Sequence, residues 1–371
     1  MAEARLPEPL SITLMSVKQH RELTVDISGP MVVLVGPNGV GKSTVLKAIR
    51  AVGALDDQAA YGLAHWARVA TSLGYQQPMD TLTGQALVRS WWGQQGVGAI
   101  EIGYGQGSRL HYSLAVDLND TALMPPGRAR LEARDQAVFN ERTKDPHIRA
   151  LKAVYLQPEF TALSKPSRVE STTLGERGEN LASVIAEFAL RFRKEHQAVL
   201  EALQRVVPEV AFIGAQTKSL IDPERGPNPF QAYELEFEFA GGARLRGVDV
   251  SEGTLISLAV LALAHHSPGT RIVLLDDIDR ALHPAAQRSL VAQLRAVLQA
   301  RPDLKIVCTS HSPYLVEHFE AHEVRVLGRS KKTGDTVCKR LDQHPEWERY
   351  KRYLDTGSYW MSVGEDWVGE D

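Results

Sequence analysis

The sequence predicts an α/β fold: a mixed central sheet with flanking helices, joined to an antiparallel β subdomain and a helical lobe. Three observations predict it. The apolar run Met31–Val35 feeds a glycine-rich loop and then residues at helical spacing, the strand, loop, helix order of a wound sheet. A second wholly apolar run, Ile272–Leu275, ends in two acids, as a strand buried on both faces does when it delivers side chains at its C-terminal end. Between them, alternation over 99–116 and 231–250 reads as antiparallel ribbons, and a three-and-four periodicity over 178–207 reads as helix.

Composition bounds the class. The chain has 371 residues, a formal net charge of −3 and 43% hydrophobic residues, enough for a sizeable core in one elaborated domain or two. Near-neutral charge argues against coating nucleic acid by bulk charge and leaves room for a local basic patch. Its two cysteines, Cys308 and Cys338, make neither a metal site nor a disulfide framework, so a reducing compartment is expected. The acidic, proline-broken start from Met1 to Glu8 does not read as a secretory signal. The apolar run 255–264 is too short to span a bilayer and contains Ser257, so a cytoplasmic protein with no membrane partner is expected.

Taken in order, short strands are expected at 10–17, 22–27 and in the run ending at Val35. The loop that follows is Gly36-Pro37-Asn38-Gly39-Val40-Gly41-Lys42-Ser43-Thr44. Its glycines let successive backbone N–H groups close around phosphate oxygens, Lys42 reaches the outer phosphates, and Ser43 offers a hydroxyl to Mg²⁺. The helix beginning there adds a favourable dipole for an anion. Residues 55–92 are mixed helix and loop. A hairpin is expected from Ile100 to Leu114 with its turn at Gly105 to Gly107.

Residues 120–149 form a polar excursion carrying Arg128, Arg130, Arg134, Arg142, Lys144 and Arg149, either a solvated face or a patch for nucleic acid or a partner. A strand is expected at 151–156, then the amphipathic helical region closed by Pro208. Two strands turn at Ala240-Gly241-Gly242. The segment 345–371 is aromatic and acidic, suited to packing on its own head or to anchoring a partner protein.

Three motifs after the excursion could carry chemistry. Carboxylates at the end of a buried strand need compensation, and a cation on Asp276 would supply it. Such an ion would sit between Asp276 and Ser43, while Asp277 could polarise an attacking water. Ser251-Glu252-Gly253 opens a helix with Ser251 as N-cap; it reads either as an ordinary capped helix or as a second phosphate site. His311 follows the strand at 305–308 and could sense a terminal phosphate, or be a merely exposed loop histidine.

The order of these motifs resembles the nucleotide-binding head of an ABC-type ATPase, of P-loop NTPase fold. It is nearest to the soluble branch holding the SMC proteins, RecF and the overcoming-lysogenization-defect (OLD) ATPases. Gly36-Pro37-Asn38-Gly39, Leu282-His283-Pro284, Thr309-Ser310-His311-Ser312-Pro313 and the helix start Gly178-Glu179-Asn180-Leu181-Ala182 carry the likeness, over roughly 9–50 and 150–330. The resemblance implies a single ABC-type ATPase domain over 1–371. Its P-loop lobe would hold 9–50 and 254–340, with a β and irregular insertion at 51–150. A helical lobe with the signature region would hold 158–253, and the aromatic-acidic segment 341–371.

The resemblance further implies ATP and Mg²⁺ as ligands. ATP would be held by Pro37, Asn38, Gly39, Val40, Gly41, Lys42, Ser43 and Thr44, and by Ser251 and Gly253 from a second copy. Mg²⁺ would be held by Ser43, Asp276 and Gln157; Lys42, Asp277 and His311 would act in hydrolysis. Gln157-Pro158 is also the sequence of an ordinary strand exit. The family usually has Glu where Asp277 stands, and the shorter side chain implies slow turnover or ATP held mainly as a clamp. Long heptad arms and a fused nuclease motif are absent from the sequence. The expected function is an ATP-driven dimer controlling a separately encoded effector in repair or antiviral defence. The alternatives are a DNA-binding repair ATPase without an effector and, less favoured, a transporter subunit.

Overall fold

A computed structural model describes residues 8–17, 20–53, 97–104, 109–115, 150–168, 173–221 and 229–370. The chain divides into two compact units: unit 1 comprises residues 1–153, 270–274 and 304–371, and unit 2 comprises 154–269 and 275–303. The expectations for 55–92, for the turn at 105–107 and for the arginines between Arg128 and Arg149 lie outside the described residues.

Unit 1 contains β1 (Pro9–Val17), β2 (His20–Asp26), β3 (Met31–Val35), β4 (Val97–Tyr104) and β5 (Arg109–Ala115). Four of these form an antiparallel sheet in the order β2-β1-β4-β5. Alternation explains its core face: Ile12 sits between Val25 and Ile102, and Leu14 between Leu23 and Ile100, all buried. β3 instead lies in the wound sheet, parallel to β11 (Lys305–Thr309) on one side and to β12 (Val324–Arg329) on the other. β12 pairs antiparallel with β13 (Thr336–Arg340). Beyond β11 comes β10 (Ile272–Leu275). Every residue of β3, β10 and β11 is buried, which is why these runs carry no polar alternation. α1 (Lys42–Gly53) packs on β1 and β11.

The C-terminal residues fold onto the same unit. The helical turn α7 (Pro313–Val316) packs against α9 (Thr356–Val363), and a Cβ on Gly357 would run into the Pro313 carbonyl oxygen, so the two backbones touch. Tyr359 and Trp360 are buried, and the Tyr359 hydroxyl donates to His344 Nδ1 at 2.7 Å. Trp347, in α8 (Trp347–Tyr350), stacks edge-on to Tyr359 with centroids 4.9 Å apart. Packing on its own head therefore accounts for most of the aromatic segment; Tyr353, 81% exposed, is left outward.

Unit 2 takes up most of β6 (Ala153–Leu156), then α2 (Phe160–Leu163), α3 (Leu181–Arg191) and α4 (Arg193–Val206). A three-stranded antiparallel sheet follows, in the order β7 (Val210–Ile221), β8 (Pro229–Phe239), β9 (Arg244–Arg246). α5 (Glu252–His265) and α6 (Pro284–Ala300) complete it. Gly253 to Ala264 are all buried, with α4 and α6 packed against α5. Two sequence expectations change here. The helical region 178–207 breaks at Phe192 (φ −120, ψ 58), whose ring lies 4.2 Å from that of His266. β7 was not anticipated, because its inward and outward residues do not alternate regularly.

Candidate nucleotide-binding site

Unit 1 builds the loop as the sequence predicts. Gly36, Gly39 and Gly41 have φ of 141, 73 and 103, the left-handed half of conformational space that turns amides inward. Gly36 is needed for space as well, since a Cβ there would collide with the Leu327 carbonyl oxygen of β12. Pro37, Asn38 and Gly39 are exposed, while Val40, Gly41 and Lys42 are buried. Helix α1 starts at Lys42 and has no acid in its first turn, so no carboxylate competes with an anion at its N-terminus. The Lys42 ammonium donates to the carbonyls of Gly36 (2.8 Å) and Pro37 (3.1 Å), which parks its charge over the loop it would serve.

Two flanking groups brace the loop. Thr336 Oγ1 donates to the Val40 carbonyl at 3.2 Å, and Arg329 donates to the Gly39 carbonyl at 3.4 Å. Ser43 and Thr44 begin α1. On the neighbouring strand, the Ser310 amide donates to the Leu34 carbonyl at 3.2 Å, bringing exposed His311 to the strand end from which the loop departs.

Unit 2 brings together Gln157, Asp276 and Asp277. The Asp276 amide donates to the Leu156 carbonyl at 2.9 Å, aligning the two strand ends. Asp276 is 0% exposed, and its Oδ2 accepts from the Tyr155 hydroxyl at 2.8 Å. That hydroxyl also lies 3.2 Å from Gln157 Oε1. Burial first, then the Asp276 carboxylate, pushes the Tyr155 phenol far above its ordinary value, so it stays a donor. Tyr155 carries no motif signal; in the sequence it is one more residue of an apolar strand.

Asp277 has φ 52. Asp and Asn enter the left-handed region more readily than longer side chains, which gives a backbone reason for Asp at a position where the resembled family usually has Glu.

The Ser251 segment also belongs to unit 2. Ser251 Oγ accepts from the Thr254 amide at 3.3 Å and bonds the Thr254 hydroxyl at 2.8 Å, so it caps α5. Gly253 is fixed by space: a Cβ there would lie 2.5 Å from the Ala281 carbonyl oxygen. Glu252 pairs with Arg280 at 3.0 Å, tying the same helix start to the loop after Asp277.

The donors fit their expected ligands. A glycine loop at an acid-free helix start suits phosphate. Within unit 2 the Asp276 carboxylate and Gln157 amide oxygen are hard oxygen donors of the kind Mg²⁺ takes, and the Ser43 hydroxyl of unit 1 is of the same kind. Among the described residues no three His, Cys, Asp or Glu side chains gather into an all-protein metal cage. None of the described helices is long and apolar enough to cross a membrane.

The chain is similar to several solved structures. A crystal structure of an SMC head bound to the C-winged helix domain of ScpA matches with a TM-score of 0.52 at 15% identity, covering 91% of this chain and 99% of that one. An Smc head with an extended coiled coil, bound to the C-terminal domain of ScpA from Pyrococcus furiosus, covers 94% and 100% at 14% identity, TM-score 0.47. The SMC head domain of Thermotoga maritima covers 90% and 99% at 11% identity, TM-score 0.44. A search of the curated proteins finds no match. The fold is that of an SMC-type ABC ATPase head. Residues 31–317, from the first strand of the loop to the turn after His311, match the family described as "AAA domain, putative AbiEii toxin, Type IV TA system", and the chain belongs to that family.

Proposed function

We propose that the chain is an ATP-binding and ATP-hydrolysing head that closes face to face with a second copy around two ATP molecules. In this reading it controls a separately encoded effector in DNA repair or in defence against phage. The observation that carries the reading is the loop Gly36 to Thr44, with three left-handed glycines, a buried lysine and an acid-free helix start, in a chain of ATPase-head fold. The family description, with its AbiEii toxin and Type IV TA system, supports defence over repair. The SMC head that is bound by a separate ScpA domain is the precedent for a separately encoded partner.

Each residue has a role in the proposal. Loop amides and Lys42 bind the phosphates, Lys42 exchanging its Gly36 and Pro37 carbonyls for phosphate oxygens. Ser43, Asp276 and Gln157 would hold Mg²⁺, which would supply charge neutralisation at the outer phosphates. Asp277 orients water and accepts its proton, and His311 hydrogen-bonds the terminal phosphate. Ser251 and Gly253 of a second copy grip that phosphate from the opposite side. DNA is a further candidate partner.

Lys42→Ala tests the site: nucleotide binding and turnover should both be lost, and unchanged hydrolysis would refute the assignment. Ser251→Arg tests the second copy. ATP binding should survive in the monomer while ATP-dependent dimerisation, read by light scattering, disappears; loss of monomer binding would place Ser251 in its own chain's site instead.

A further inference from the structure

Tyr155 stands between the two groups of unit 2 that the proposed function assigns to Mg²⁺. Tyr155 is 4% exposed, and its hydroxyl is 2.8 Å from Asp276 Oδ2 and 3.2 Å from Gln157 Oε1. A phenol has one proton to give. The shorter contact, to a charged and fully buried acceptor, takes it, because a hydrogen bond to a carboxylate is stronger than one to an amide. That bond fixes the orientation of the carboxylate through its Oδ2. Gln157 lies alongside, its Oε1 3.2 Å from the same hydroxyl and its backbone N–H donating to the Glu176 carbonyl at 2.8 Å.

We infer that Tyr155 is a positioning residue for the cation, aiming the Asp276 carboxylate through its hydroxyl. The inference rests on the nucleotide reading above. Residues that orient metal ligands from behind typically change metal affinity by about 10- to 100-fold when removed. A Tyr155 that only satisfied a buried acid would affect stability and leave metal affinity alone.

The test is Tyr155→Phe in the full chain, which deletes one oxygen and keeps the ring. Binding of a fluorescent ATP analogue is measured first with chelator and then across a Mg²⁺ titration. Metal-free binding should stay within about twofold, because the loop and Lys42 belong to unit 1. The Mg²⁺ concentration at half-effect should rise about tenfold. An unchanged Mg²⁺ midpoint overturns the inference, whatever happens to the melting temperature. If the single variant does not fold, the same titration is made with Tyr155→Phe in an Ala281→Gly background, which relieves a left-handed alanine at φ 56. Failure of the wild-type chain to bind the analogue, or binding indifferent to Mg²⁺, sinks the nucleotide reading and this inference with it. A Mg²⁺-dependent wild type with an identical variant sinks this inference alone.

Discussion

The two units meet the cost of polar groups in different ways. In unit 1 the Lys42 ammonium is satisfied by carbonyls five and six positions back in its own loop. In unit 2 the Asp276 carboxylate is met by a hydroxyl 121 positions away. The first arrangement is local, so one short motif encodes it. The second depends on strand pairing, so no motif can. Glycines differ in the same sense. Gly39 is required for its φ of 73 and has open space where a Cβ would be, whereas Gly253 is required because the Ala281 carbonyl fills that space.

The largest expected effect separates the two units by what they bind. Lys42→Ala should lower affinity for the ATP analogue with or without Mg²⁺, and Asp276→Asn should spare metal-free binding while reducing turnover by about 100-fold or more. Equal loss of metal-free binding in both variants would erase the distinction.

Next comes the glycine contrast, read from urea midpoints. Gly253→Ala forces backbone apart and should cost about 1–3 kcal/mol; Gly39→Ala meets only left-handed strain and should cost about 1 kcal/mol. A reversed ranking would contradict the packing of Gly253 on Ala281. A smaller change in the opposite direction is expected of Ala281→Gly, which should stabilise the chain by about 1 kcal/mol or less by removing the same strain.

The smallest effect concerns pH. Burial lowers His265 and His266 of unit 2 below the ordinary 6.5. The unfolded chain therefore binds protons there before the folded one does, and stability should fall as pH drops through 6.5 towards the folded values. Replacing both by Gln should flatten that part of the urea-midpoint profile; an unaltered slope would assign it to other groups.

Legibility followed locality. The loop from Gly36 to Thr44, the apolar strands, the Ser251 cap and the helix start after Asn180 depend on neighbours in sequence, and each was readable there. Asn180 itself shows the limit. It does not cap α3 by its side chain; it accepts from the Gly175 amide at 2.7 Å and donates to the Thr173 carbonyl at 2.9 Å, holding a loop that periodicity does not describe. The role of Tyr155 and the Phe192 break follow from tertiary partners, and β7 from pairing with β8.

The contact between Gly357 and Pro313 has a mechanical consequence. Side chains at an interface absorb small displacements by changing rotamer; two backbones in direct contact have no such slack. A pull or push on α9 is therefore delivered to Pro313, two positions after His311, with little loss on the way. α9 thus bears directly, backbone on backbone, on the turn that follows this histidine.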